Sequence, residues 1–164
     1  GSTGANLSWS ASTDNVGVTG YIVRRNGVQV ATPAATSYTD TGLSVGTYSY
    51  TVAARDAAGN ISPNSASASI TVADTTPPTT PTGLTAAAAG STGANLSWSA
   101  STDNVGVTGY IVRRNGVQVA TPATTSYADT GLSAATTYSY TVAARDAAGN
   151  ISPNSASVSV TTAI

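Results

Sequence analysis

The segment YSYTVAARDAAGNISPNSAS, residues 48–67, decides the fold of this 164-residue chain. Its first half alternates apolar Tyr, Val and Ala with Ser, Thr and Arg, and a period of two predicts a β-strand with one apolar face. Its second half is rich in Asp, Gly, Asn and Pro, which are loop-forming residues. The same segment returns unchanged at 138–157, so the chain contains this strand and loop twice.

The repeat extends over most of the chain and sets its domain organisation. Residues 1–34 recur unchanged at 90–123, which gives a unit of roughly 80–90 residues, a normal domain size. We predict one domain over 1–73, a junction over 74–81 and a second domain over 82–164. The junction reads DTTPPTTP, and Pro at this density predicts a stiff, extended connector.

Other short strands surround the first segment. Ala5, Leu7 and Trp9 alternate with polar residues, and Asn26-Gly27 stands between two apolar runs, which is the strongest short hairpin signal. No helical period stands out. Short strands separated by turns predict an all-β fold of two tandem antiparallel β-sandwiches.

The composition excludes several classes of function. The chain has a net charge of −1 and contains no His, Cys, Lys or Glu, so it has neither the clustered positive charge of a nucleic-acid binder nor the commonest general base. No apolar run approaches the ~20 residues of a membrane-spanning helix. We therefore expect no cofactor, no nucleic-acid partner and no membrane insertion, and the low charge favours an extracellular or cell-surface bacterial protein.

Aspartate and asparagine residues in two loops of each copy are the candidate metal ligands. The loops follow the Trp9 strand and precede the last strand, and they meet at the same end of a sandwich, where their oxygen atoms could bind calcium. The alternative is that these side chains only stabilise turns, which we favour because the regular acidic spacing of a dedicated calcium loop is missing. The candidates are Asp14, Asn15, Asp56, Asn60, Asp103, Asn104, Asp146 and Asn150.

Catalysis and sugar stacking are not expected. A glycosidase needs two carboxylates about 5–10 Å apart, and a pair chosen from Asp14, Asp40 and Asp56 would recur as a second active site in a second small sandwich. We therefore predict no catalytic residues. Tyr and Trp fall at apolar-facing positions, which predicts core packing for Trp9 and Trp98. Arg24 is expected in solvent, and Arg25 near a sheet edge.

The order of these motifs resembles the fibronectin type III domain. The resemblance rests on Trp9, on Gly20–Val23, on Gly42-Leu43 leading to Tyr48, and on the pattern Tyr-x-Tyr-x-Val-x-Ala-x-Arg-Asp at 48–56. Further matches are Thr36–Tyr38 with Asp40, and Pro81–Leu84 before the second copy. The resemblance implies an immunoglobulin-like sandwich. It also implies that the first copy lacks the family's first strand. Gly1 matches Gly90, so the first copy has no counterpart of residues 74–89.

The amino-acid sequences of the junction and loops are similar to those of modules in secreted bacterial polysaccharide-degrading enzymes, chitinases above all. This likeness implies a non-catalytic spacer joined to flanking domains of a larger parent chain. One alternative is a repeat unit of an extracellular filament, surface array or adhesin, in which identical neighbouring modules are the partners and a strand is added to the first copy. Another alternative is a weak polysaccharide-binding module.

Overall fold

The computed structural model describes residues 3–164 and divides into two compact units, one ending at Asp74 and the other spanning Thr75–Ile164. Within the described residues all regular structure is β-strand, and every strand pair is antiparallel. The all-β, antiparallel prediction is confirmed.

The first unit contains two sheets. One sheet has the strand order β3-β2-β5-β6, and the other pairs β1 with β4. The strands are β1 (Ala5–Ser8), β2 (Val18–Arg25), β3 (Val28–Ala31), β4 (Ser37–Asp40), β5 (Gly46–Asp56) and β6 (Ala68–Val72). The apolar–polar alternation that begins at Tyr48 lies on β5, one of the two inner strands of the larger sheet.

The second unit repeats this arrangement with one additional strand. Its larger sheet has the order β10-β9-β12-β13, and its smaller sheet has the order β11-β8-β7. The strands are β7 (Thr82–Ala88), β8 (Gly93–Ser99), β9 (Val107–Arg114), β10 (Val117–Ala120), β11 (Ser126–Thr130), β12 (Thr137–Asp146) and β13 (Val158–Thr161). The additional strand is β7, which pairs with β8.

The hairpin predicted at Asn26-Gly27 is present between β2 and β3. Asn26 has φ of 50° and Gly27 has φ of 81°, as the two central positions of a type I′ turn require. The Asn26 side chain also accepts a hydrogen bond from the Ser49 backbone N–H at 2.9 Å. This bond ties the hairpin to the neighbouring strand β5.

The two cores share most of their positions, although Val72 of the first corresponds to Thr162 of the second, and they are not equally buried. In the second unit Ala94, Leu96 and Trp98 of β8 are buried against Tyr140 and Val142 of β12. In the first unit Ala5, Val23, Leu43, Tyr50 and Val72 form the buried cluster.

The core prediction is correct for Trp98, which is 6% exposed, but not fully for Trp9, which is only partly buried. Each indole packs edge-on against a tyrosine ring at a centroid distance of 5.4 Å, Trp9 on Tyr21 and Trp98 on Tyr110. The difference follows from the strands beside them. β8 lies between β11 and β7, whereas within the described residues β1 pairs with β4 alone.

Candidate functional site

A buried carboxylate joins the two sheets of the first unit. Asp40, at the end of β4, is 4% exposed. The Tyr50 hydroxyl donates to its Oδ2 at 2.8 Å, and Arg25 Nη1 donates to the same oxygen at 2.8 Å. Burying a carboxylate is costly unless donors compensate it. Because Arg25 and Tyr50 lie on β2 and β5, these bonds link β4 to the opposite sheet.

The second unit repeats this cluster. Asp129 accepts from Tyr140 at 2.7 Å and from Arg114 at 2.8 Å. Burial, followed by the hydrogen bond to Asp40, raises the pKa of Tyr50 to about 12, and burial, followed by the hydrogen bond to Asp129, raises the pKa of Tyr140. Both hydroxyls therefore remain protonated at neutral pH and act as hydrogen-bond donors.

These contacts correct the expectation for Arg25. Instead of lying near a sheet edge for solubility, it neutralises Asp40 and stands 5.8 Å from the centre of the Tyr48 ring. Arg24 is solvent-facing as expected, and it donates to Asn64 Oδ1 at 2.7 Å. Sequence reasoning missed the cluster because its three members are far apart in the chain.

Three of the four loop residues proposed as metal ligands in the first unit, Asp14, Asp56 and Asn60, line one cavity of about 220 Å³. Asp14 Oδ2 accepts from the backbone N–H groups of Val16 and Gly17 at 3.0 and 3.1 Å. Asp56 Oδ1 accepts from the Asn60 N–H at 2.8 Å. The amide of Asn15, oriented to satisfy its neighbours, donates to Asp14 Oδ1 at 3.1 Å.

The corresponding loops of the second unit bring two carboxylates close together. Oxygens of Asp103 and Asp146 lie within 4.8 Å of each other. Asp103 Oδ2 accepts from the N–H groups of Val105 and Gly106, each at 2.9 Å, while its Oδ1 is buried without a hydrogen bond.

Asparagines accompany both carboxylates. Asp146 is 4% exposed and accepts from the Asn150 N–H at 2.8 Å. Asn104 follows Asp103 directly and is exposed. Bonds of this kind are what turn-stabilising Asp and Asn side chains make.

Hydrogen bonds keep the second loop aspartate of each unit charged. The bond from the Asn60 side chain is the main cause that lowers the pKa of Asp56. Burial acts to raise the pKa of Asp146, but the bonds from Asn150 and neighbouring N–H groups outweigh it, and the pKa is lowered. Both side chains are therefore carboxylates at neutral pH, able to hold their loops closed.

No aromatic side chain within residues 3–164 is well exposed. The large apolar side chains that stand well exposed within 3–164 are all aliphatic: Val16, Val28, Val45, Ile61, Val105, Val117, Ile151 and Ile164. Tyr21, Tyr50, Tyr110 and Tyr140 are buried. Trp9, Tyr38, Tyr48, Tyr127 and Tyr138 are partly buried, so each presents only part of its ring to solvent.

The fold agrees with a comparison to known families. The model of the fibronectin type III domain matches residues 79–161, half of the chain. The chain belongs to the fibronectin type III family. The strands from β8 to β13, with the tyrosine-bearing strand β12 among them, are therefore those of this sandwich fold.

Curated relatives of this fibronectin type III chain are bacterial enzymes. It is 48% identical to Exoglucanase B of Cellulomonas fimi over 98% of its own length and 15% of that protein. It is 52% identical to Chitinase A1 of Niallia circulans over 96% of its length and 23% of that protein. The chain thus spans less than a quarter of the length of these relatives.

Solved structures give the same fold. Chitinase ChiA74 from Bacillus thuringiensis matches with a TM-score of 0.53 and 35% identity, over 57% of this chain and 15% of that one. The chicken CNTN1 FN1–FN3 domains match with a TM-score of 0.54 and 23% identity, over 99% of this chain and 63% of that one. Within residues 3–164 there is no helix long and apolar enough to cross a lipid bilayer.

Proposed function

We propose that this chain is a non-catalytic spacer within a secreted, multidomain bacterial enzyme that degrades a polysaccharide, with chitin as the substrate to test first. The observation that carries the proposal is the pattern of coverage. Two polysaccharide-degrading enzymes match nearly all of this chain, yet it spans only 15% and 23% of their lengths. The chain therefore corresponds to a small accessory part of each enzyme.

We further propose two fibronectin type III domains in tandem, 1–73 and 82–164, joined by the junction 74–81. Pro77-Pro78 and Pro81 in the junction fix backbone φ angles, which limits flexing between whatever domains flank the chain. Partners are then the flanking domains of the parent enzyme, outside the cell.

The hydrogen-bond partners of the aspartate carboxylates support a non-catalytic role. Asp40 and Asp129 are tied to Arg and Tyr partners that hold the sheets together. Asp14 and Asp56 accept hydrogen bonds from their own loops. A glycosidase needs one carboxylic acid with a raised pKa, whereas the pKa of Asp56 is lowered.

The experiment compares three forms of a parent enzyme that carries this chain: intact, with the chain deleted, and with the chain replaced by unrelated folded domains of similar length. Activity is measured on a soluble oligosaccharide and on insoluble chitin. A spacer predicts equal activity of all forms on the soluble substrate, and a loss on chitin after deletion that the replacement restores. The proposal would be contradicted if the form with the chain deleted lost activity on the soluble substrate.

Direct sugar binding is the competing function. A pull-down of the isolated chain on insoluble chitin and cellulose separates the two, with bovine serum albumin as the non-binding control. The spacer predicts no retention above the control. Retention on either polymer would favour the weak polysaccharide-binding module instead, and failure of the replacement above to restore activity on chitin would agree with it.

A further inference from the structure

Two arginines of the first unit stand on the outer face of its larger sheet, the face turned away from the core. On β2, Val23 belongs to the core cluster, and because side chains alternate along a strand, Arg24 points outward. On the neighbouring strand β5, Tyr50 belongs to the same cluster, which places Arg55 on the outer face as well. The two guanidinium groups therefore share one surface.

An asparagine holds Arg24 stretched across this face. Arg24 Nη1 donates to Asn64 Oδ1 at 2.7 Å, and Asn64 lies beyond β5, in a segment whose Ser65 N–H donates to the Val52 carbonyl at 2.8 Å. Since neighbouring strands are ~4.8 Å apart, the arginine side chain has to cross β5 to reach the amide. Its apolar stem helps to account for the burial of Ala53, an outward-facing residue that is 1% exposed.

Arg55 crosses the sheet in the opposite direction. It is paired with Gly20 of β2, and its Nε lies 3.4 Å from the position that a Cβ at Gly20 would occupy. Arg55 is exposed and Arg24 is half-buried, so solvent reaches both side chains. Asp14 and Asp56 line a cavity together with Arg55, but neither is within ion-pair distance of it.

Neither of these two arginines has an acidic partner within residues 3–164. The ion pairs in that part of the chain join Arg25 to Asp40 and Arg114 to Asp129. The partner that positions Arg24 is a neutral amide, which leaves the positive charge uncompensated and leaves further N–H donors of the guanidinium for a ligand. Because a guanidinium binds a carboxylate through two parallel hydrogen bonds, this surface suits an anionic partner.

The second unit carries the same arrangement. Arg113 Nη1 donates to Asn154 Oδ1 at 2.6 Å. Arg145 Nε lies 3.4 Å from the position of a Cβ at Gly109, with which Arg145 is paired. Within residues 3–164 neither arginine forms an ion pair. Each unit therefore has its own pair of outward-facing arginines, held in the same way.

We propose that this face, marked by Arg24 and Arg55 in the first unit and by Arg113 and Arg145 in the second, is a docking surface for an extended acidic peptide segment of a partner protein. A polyanion is a poorer partner, because two cations on a face of a chain with net charge −1 lack the clustered charge that such polymers require. A second copy is also poorer, because the seven Asp residues of this chain stand far apart in the sequence. The inference is separate from the spacer role and from any polysaccharide.

The test titrates the full chain with a synthetic peptide in which Asp alternates with Ser, so that all carboxylates fall on one side of an extended strand. The readout is the NMR signal of each arginine Nε–H group. We expect shifts at the four outward-facing arginines and none at Arg25 and Arg114, which are already paired. A control peptide with Asn in place of Asp should shift none. The absence of shifts, or equal shifts with both peptides, would overturn the proposal.

Substitutions give a second measurement, the affinity of the labelled peptide by fluorescence anisotropy. Arg24→Gln combined with Arg113→Gln should weaken binding at least about threefold. The matched control, Ser37→Asp combined with Ser126→Asp, makes the same change in net charge at exposed positions of β4 and β11, away from the arginines, and should bind nearly as well as the original chain. Thermal unfolding checks that all variants are folded.

Two outcomes of these measurements would overturn the proposal. Equal weakening by both pairs of substitutions would show that binding follows net charge rather than the outward-facing arginines. Tighter binding of alginate than of the peptide, lost in the arginine variant, would show instead that the face binds an acidic polysaccharide.

Discussion

Trp9 and Trp98 hold the same strand position in two units of nearly identical sequence, yet Trp98 is 6% exposed while Trp9 is only partly buried. Both indoles keep the same edge-on contact with a tyrosine, at 5.4 Å. Their local sequences do not differ, since 1–34 and 90–123 are the same. The difference in burial therefore comes from β7, which covers only the second of them.

We expect the two units to unfold at different temperatures, the first below the second. The second unit additionally packs Leu84 and Ala86 against its core, and burying a Leu side chain contributes about 1.5–3 kcal/mol. Trp98→Phe and Trp9→Phe variants, followed separately by fluorescence, report each unit in turn. A single shared transition in both variants would contradict this expectation.

Leu84→Ala is expected to lower the Tm of the second unit and leave the first unchanged. Leu84 is partly buried against the core, so the cost is about 1–3 kcal/mol, in the lower part of and below the range of about 2–5 kcal/mol for core Leu→Ala changes. The measurement is thermal unfolding with Trp98 as the reporter. Thr85→Ala, on the exposed side of the same strand, is the matched control and should shift the Tm by much less.

Tyr140→Phe should destabilise the second unit by about 1–3 kcal/mol, because a buried carboxylate loses a donor. Tyr140 donates to Asp129 at 2.7 Å, and Asp129 is 3% exposed. Tyr138→Phe is the control, since its oxygen contacts the exposed Ser133 N–H. Urea unfolding monitored by fluorescence gives both values, and equal effects of the two substitutions would argue against the sheet-linking role of Asp129.

The stability of the first unit should fall at high pH through Tyr50. Its pKa is raised to about 12 in the folded state, against about 10 for an unfolded tyrosine. A raised pKa contributes stability that is complete below pH ~10 and is lost as the pH rises toward 12. Unfolding between pH 9 and 12, compared with Tyr50→Phe, isolates this contribution. Parallel pH profiles for the two proteins would exclude it.

Calcium is expected to leave the stability of the chain unchanged. Asp14, Asp56, Asp103 and Asp146 each accept hydrogen bonds from their own loops, and calcium requires six to eight oxygen ligands. Thermal unfolding in millimolar calcium, in magnesium and in chelator should give the same Tm. A rise of several degrees in calcium alone, absent in Asp103→Asn, would show instead that the close pair Asp103 and Asp146 binds the ion.

Much of the fold was predictable because it depends on local pattern. The alternation of apolar and polar residues predicted β5 and β12. Asn26-Gly27 predicted the hairpin, because few residue pairs adopt the two positive φ angles that its turn requires. The cluster of Arg25, Asp40 and Tyr50 was not predictable. Its members come from three strands in two sheets, and only the packing of those sheets brings their side chains within hydrogen-bond distance.

The sequence by itself determined the β-strands, the repeat and the absence of His and Cys chemistry, because each follows from residue type and spacing. Only the tertiary structure decided which copies of the same residue are buried. Leu7 and Leu96 have identical neighbours in the chain, but burial depends on the strands that pack beside a residue. Strand β8 pairs with both β7 and β11, whereas within residues 3–164 β1 pairs with β4 alone. Identical segments therefore form corresponding strands, but their side chains are buried to different extents.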